Sequence, residues 1–125
     1  IEAMTLISMT KKDIMGAALE YQYTLAEVVN AKQATGVALA AKTEEKLLAK
    51  AATLTEALAE RLEKLEADVD KVDESADALE IAKYYREVIF SDMNSLREVI
   101  DDLEVVIPSD IWPYPTYGEM LYSIK

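Results

Sequence analysis

Residues 37–107 contain neither glycine nor proline, whereas all three prolines, Pro108, Pro113 and Pro115, crowd the end of the chain. Over so long a stretch only polar caps and charge can interrupt a helix, and proline cannot continue one. The fold class is therefore all-α, with a non-helical start to the tail. Apolar spacing then divides the body. A first helix over 1–36 carries Met4, Ile7, Ile14, Ala18, Tyr21, Leu25 and Val28 at steps of three, four or seven, with Gly36 as its stop. Gly16 lies inside it, where glycine costs about 1 kcal/mol relative to alanine, and marks a place for a kink or a close helix contact. A second helix over 43–72 takes Thr43 as its cap, with Glu44 and Glu45 at the positive end of its dipole. Its seam of Leu47, Ala51, Leu54, Leu58, Leu62, Leu65, Val69 and Val72 has a coiled-coil rhythm with one stutter. Asp73 to Asp77 form the turn, with Asp73 or Ser75 capping the next helix; a helix running unbroken through it is the alternative. The third helix, 75–107, carries Ala82, Tyr85, Ile89, Met93, Leu96, Ile100, Leu103 and Ile107 and ends at Pro108. Three such helices fold most simply into one domain, an elongated antiparallel bundle of long helices, with 108–125 as a docking tail.

The side-chain repertoire narrows the chemistry. Among 125 residues, 24 are acidic and 13 basic, the net charge is -11, and histidine and cysteine are absent. Scattered, outnumbered cations cannot displace counterions from phosphates, which argues against nucleic acid. The apolar runs are too short for a membrane span, and residues 1–10 lack the basic-then-apolar pattern of a targeting segment. The opening on Ile1, in residues that already read as mid-helix, points to a piece of a longer chain. Without cysteine or histidine there are no disulfides, thiolate nucleophiles, Cys-based zinc sites or Glu-x-x-His dimetal centres. The acidic run Asp68, Asp70, Asp73, Glu74, Asp77 lacks the glycine and glutamate that a calcium loop needs at its sixth and twelfth positions. Residues 60–104 hold 15 acidic and 6 basic side chains, which read as the solvated face of two helices. Lys11, Lys12, Lys42, Lys46 and Lys50 read as surface cations, since no glycine-rich phosphate loop accompanies them. Tyr84, Tyr85 and Phe90, at helical spacing, read as core or helix-interface residues rather than a recognition box. No catalytic, cofactor-binding or metal-binding residue is assigned.

The tail carries the most information. Residues 111–122 pack four aromatics and two prolines together. Pro113 and Pro115 hold the backbone extended, so that Trp112 and Tyr114 are presented at low entropic cost. Thr116 and Glu119 have capping-box spacing and begin a short final helix carrying Met120 and Leu121. Trp112, Tyr114, Tyr117, Met120 and Leu121 are the candidate docking residues. They cover either the chain's own bundle or a neighbouring domain or subunit, and the sequence leaves both open.

Trp112-Pro113-Tyr114-Pro115-Thr116-Tyr117-Gly118-Glu119, followed by Met120-Leu121-Tyr122, resembles the C-terminus of type III glutamine synthetases. Tyr84-Tyr85-Arg86-Glu87-Val88-Ile89, Met93-Asn94-Ser95-Leu96-Arg97 and Asp102-Leu103-Glu104 are similar to the helix before that ending. Ile1-Glu2-Ala3-Met4 with Lys12-Asp13-Ile14 is similar to the stretch entering the family's C-terminal helical domain. The resemblance covers about residues 1–35 and 76–125; Tyr122 and Glu119 stand where the family favours phenylalanine and aspartate. It implies a parent ligase of nitrogen metabolism that joins ammonia to glutamate with ATP and a divalent metal, in a ring-stacked cytoplasmic oligomer. This chain would be a non-catalytic C-terminal domain of it, structural in role, with the catalytic domain of the same chain and neighbouring subunits as partners. The family's metal-binding and nucleotide-binding residues lie upstream, so none is carried onto this chain. On this reading the bundle and tail brace the core or the ring contacts. The alternative is a freestanding acidic bundle that binds a partner helix or self-associates through its seams.

Overall fold

The computed structural model describes residues 2–115, and among them the chain forms three helical rods and no strand. The all-α expectation is met. The first rod is α1 (Glu2–Met9), a π turn (Thr10–Ile14) and α2 (Met15–Ala34); the second is α3 (Lys42–Asp70). The third is α4 (Ala78–Tyr84), a second π turn (Tyr85–Ile89) and α5 (Phe90–Val106).

The irregularity in the first rod is not at Gly16, where an added Cβ would meet nothing within 4 Å. It falls one turn earlier. The Thr10 hydroxyl donates to the Leu6 carbonyl at 2.7 Å, a local bond that competes with the helix ladder. The wider turn then lets both Thr10 and Ile14 face the core. Upstream the buried set is Ala3, Leu6, Ile7 and Thr10; downstream it is Ile14, Ala17, Ala18, Tyr21 and Leu25. Met4, expected inside, is 58% exposed because it sits about 100° around the helix from Ala3. Val28, also expected inside, is exposed.

The rods alternate in direction. Lys11 meets Glu66, Gln22 meets Thr55 and Lys32 meets Glu44, so one number falls as the other rises. Likewise Arg61 bonds to Ser95, Lys64 faces Asp92, and Asp68 meets Tyr84. α3 thus lies between α1–α2 on one side and α5 on the other. Having two partners widens its buried arc: Ala51, Thr55, Leu58, Leu62, Leu65 and Asp68 are buried, while Leu47, Leu54 and Val69 pack at the margins. In the third rod Ile89, Met93, Leu96, Val99, Leu103 and Ile107 are buried, whereas Ala82 is exposed.

The ends are set by local chemistry. Gly36, at φ 75, closes α2 in a conformation that a side chain disfavours. α3 begins at Lys42 with Ala41 at its cap and no side-chain cap bond, so Thr43 does not cap it. Glu44 acts in the first turn instead: Lys32, and then its own backbone N–H, hold its carboxyl below the usual range. The turn over 71–77 breaks the second and third rods apart. Asp73 accepts from the Ser75 N–H at 3.0 Å within that turn, and Asp77, not Asp73 or Ser75, caps α4 by accepting from the Glu80 N–H at 2.9 Å. At the far end Ile107 is extended, as a residue before proline prefers, and the N–H groups of Ile111 and Trp112 both donate to the Pro108 carbonyl at 3.0 Å.

Candidate docking site and buried acidic pair

The Pro108 turn reverses the chain and lays the tail against the bundle. Trp112 is 7% exposed and belongs to the core cluster, with Ile111 and Tyr114 packed beside it. Its ring meets Tyr114 edge-on, with centroids 6.5 Å apart and planes at 77°. The Tyr114 hydroxyl donates to Asp13 Oδ2 at 2.6 Å, joining the tail to the π turn of the first rod. Burial first, and then the Asp13 carboxylate, push the Tyr114 hydroxyl up to about 12. Trp112 and Tyr114 therefore cover the chain's own bundle. Tyr117, Met120 and Leu121, with the Thr116–Glu119 capping box and the short final helix, lie outside the described residues.

A second polar cluster lies in the α3–α5 seam. Asp68 and Asp92, both counted by sequence in a solvated acidic face, are each only 7% exposed. Lys64 Nζ lies 2.9 Å from Asp68 Oδ2 and 3.4 Å from Asp92 Oδ1, and Lys71 lies 3.7 Å from Asp68 Oδ1. Asp92 Oδ2 is buried without a partner. The neighbouring Asp92, and then Lys64, hold the Asp68 carboxyl well below the ordinary value, while burial, and then the neighbouring Asp68, push Asp92 up. Tyr84 donates from its hydroxyl to the Asp68 carbonyl at 2.6 Å and so satisfies an acceptor in the last turn of α3. Tyr84 and Tyr85 pack against the core, but Phe90 is exposed. Among the described residues no three acidic side chains come together in a way that could hold a metal ion. Lys12, Lys42, Lys46 and Lys50 are exposed, and Lys11 pairs with Glu66 at 2.6 Å.

A third feature is the hairpin tip between α2 and α3. Residues 36–41 carry no charge, and Val37 and Leu39 stand 61% and 49% exposed. The tip is held firmly. Lys32 Nζ donates to the Ala40 carbonyl at 2.8 Å and pairs with Glu44; the Thr35 hydroxyl donates to the Lys32 carbonyl at 2.7 Å and accepts from the Val37 N–H at 3.1 Å. Sequence pattern alone does not single out Asp13, the seam pair Asp68 and Asp92, or this tip. The uncharged Gly36–Ala41 run is a legible signal for the last.

A glutamine synthetase of Butyrivibrio fibrisolvens is 31% identical to this chain over 125 residues, which is the whole of this chain and 18% of that relative. The chain thus spans less than a fifth of the relative's length. No protein-family model matches the chain, and no solved structure matches it. The similarity runs through the middle helix as well as the two ends, and it bears out the resemblance to glutamine synthetase. No described helix is long and apolar enough to cross a membrane.

Proposed function

We propose that this chain is a non-catalytic helical domain of a glutamine synthetase, C-terminal in a parent of the type III class, that braces the catalytic domain and neighbouring subunits. The observation that carries this reading is the whole-length similarity to a segment of a glutamine synthetase. The parent would be a cytoplasmic oligomer ligating ammonia to glutamate with ATP and a divalent metal. The described residues do not supply a metal-binding set: the buried acidic pair has only two carboxylates, and the Lys64 ammonium already occupies the space where a cation would sit.

What the chain offers is a rigid rod with an apolar end. α3 alone is 29 residues, about 44 Å long. Its hairpin tip presents Val37 and Leu39 on a backbone already fixed by Lys32 and Thr35, so covering them elsewhere in the parent costs little ordering entropy. The test is Val37→Asp with Leu39→Asp in the full-length enzyme, because neither side chain supports the chain's own core. The expected outcome is about a tenfold shift from the full assembly to smaller species in sedimentation, with helical content unchanged. An unaltered assembly and an unaltered melting temperature would overturn the bracing role.

A further inference from the structure

We propose that the open cleft between α1 and α5 is the docking site for the chain's own residues 117–124. α3 lies between the first and third rods, so both bury their main faces on it and leave a furrow where they run side by side. Two hollows open there, of about 250 and about 280 Å³. Leu6 and Met9 of α1 line the first, Phe90 and Met93 of α5 line the second, and Glu2 and Arg97 belong to both. Phe90 is 49% exposed and Met9 only half-buried, so apolar surface is left uncovered. Each hollow is smaller than the roughly 300 Å³ at which small-molecule sites begin, which suits inserted side chains rather than a metabolite.

The tail arrives at one end of this cleft and heads along it. Gln22 meets Thr55 and Arg61 meets Ser95, so Ile107, at the end of the third rod, lies level with the first rod beyond Gln22. Tyr114 nevertheless reaches Asp13 with a 2.6 Å hydrogen bond, and Trp112 is buried on the way. After the Pro108 turn the chain has therefore travelled toward lower numbers on the first rod. Asp13 stands one turn from Met9, and Met9, Leu6 and Glu2 continue that line at steps of three and four. From Asp13 to Leu6 is about 10 Å along the rod, and eight helical residues span about 12 Å.

The tail sequence fits such an occupant. Tyr117, Met120, Leu121 and Ile124 fall at i, i+3, i+4 and i+7, the spacing of one helical face, with Glu119 and Ser123 on the other. Thr116 and Glu119 have the spacing that starts a helix at this point. Two helical turns do not hold themselves together in water, so their apolar face needs a partner. The uncovered apolar surface ahead of Pro115 is this cleft. The docking is separate from the bracing role, which concerns Val37 and Leu39 at the hairpin tip.

The experiment puts the photo-reactive residue p-benzoylphenylalanine in place of Leu121 in the full-length protein that carries this chain, irradiates it and maps the products by mass spectrometry. Cross-links to residues 2–9 or 90–97, in a product of one chain mass on a denaturing gel, are expected. Labelling that misses both stretches, or products of two chain masses, would overturn the inference. A second readout avoids the bulky probe. In Met120→Asp with Leu121→Asp, peroxide should oxidise Met9 about threefold faster or more than in the wild type. Met4, 58% exposed and outside the cleft, should keep its rate. An unchanged Met9 rate, or equal acceleration at both methionines, contradicts docking at this cleft.

Discussion

The two faces of α3 are held by different chemistry. Toward α1 and α2 the interior polar contact is neutral: Gln22 donates to the Thr55 hydroxyl at 2.9 Å, and the Lys11–Glu66 and Lys32–Glu44 ion pairs stand on either side of it along the seam. Toward α5 the polar contacts are charged: Arg61 donates to the Ser95 carbonyl at 2.6 Å, and Asp68, Asp92 and Lys64 meet in the seam. Both faces draw most of their stability from leucine, isoleucine and tyrosine burial. What separates them is the interior polar contact, neutral on one face and ionisable on the other. A neutral amide–hydroxyl bond is indifferent to protons, whereas two carboxylates held beside Lys64 carry charges that protons can remove.

Three substitutions break or sharpen this contrast. The largest effect is expected from Leu58→Ala, since Leu58 is fully buried in the rod both faces share. A loss of ~2–5 kcal/mol, the same in acid and alkali, should appear in urea denaturation, because the cavity involves no titrating group. Gln22→Ala comes next, at about 1 kcal/mol, because Thr55 retains its bond to the Ala51 carbonyl and loses only the amide donor. Its cost should be constant with pH, and a cost that varied would erase the distinction between the faces. Lys11→Ala is the smallest, below about 0.5 kcal/mol in thermal melts and vanishing in high salt, because Lys11 is largely exposed.

Much of the fold is legible in the sequence because burial and period coincide in the middle of the rods. Leu58, Leu62 and Leu65 on α3, and Ile89, Met93, Leu96 and Leu103 on the third rod, lie inside at the spacing that marks them. The stripe fails where the period itself changes. A π turn at Thr10–Ile14 has no composition of its own, so the inward set upstream, Ala3 and Leu6 in place of Met4, cannot be extrapolated from Ile14 onward. Caps are ambiguous because several eligible oxygens stand in a row: Asp77 rather than Asp73 or Ser75 caps α4, and Glu44 serves the end assigned to Thr43. Charge counting hides the acidic pair, since it sees a run of carboxylates and not their partners. Yet Ile89, Asp92, Leu96, Val99 and Leu103 step by three and four, which places Asp92 on a buried line. The tail announces that Trp112 needs cover. It gives no sign that Tyr114 finds Asp13, 101 residues away, because only the fold brings them together.

The most direct test of the bracing-domain reading is the native mass of the protein that carries this chain, captured from source extract with an antibody raised against it. Membership in a larger glutamine synthetase requires a species far above 13.9 kDa that forms glutamine from glutamate and ammonia. A captured species of the chain's own mass, without that activity, would contradict it.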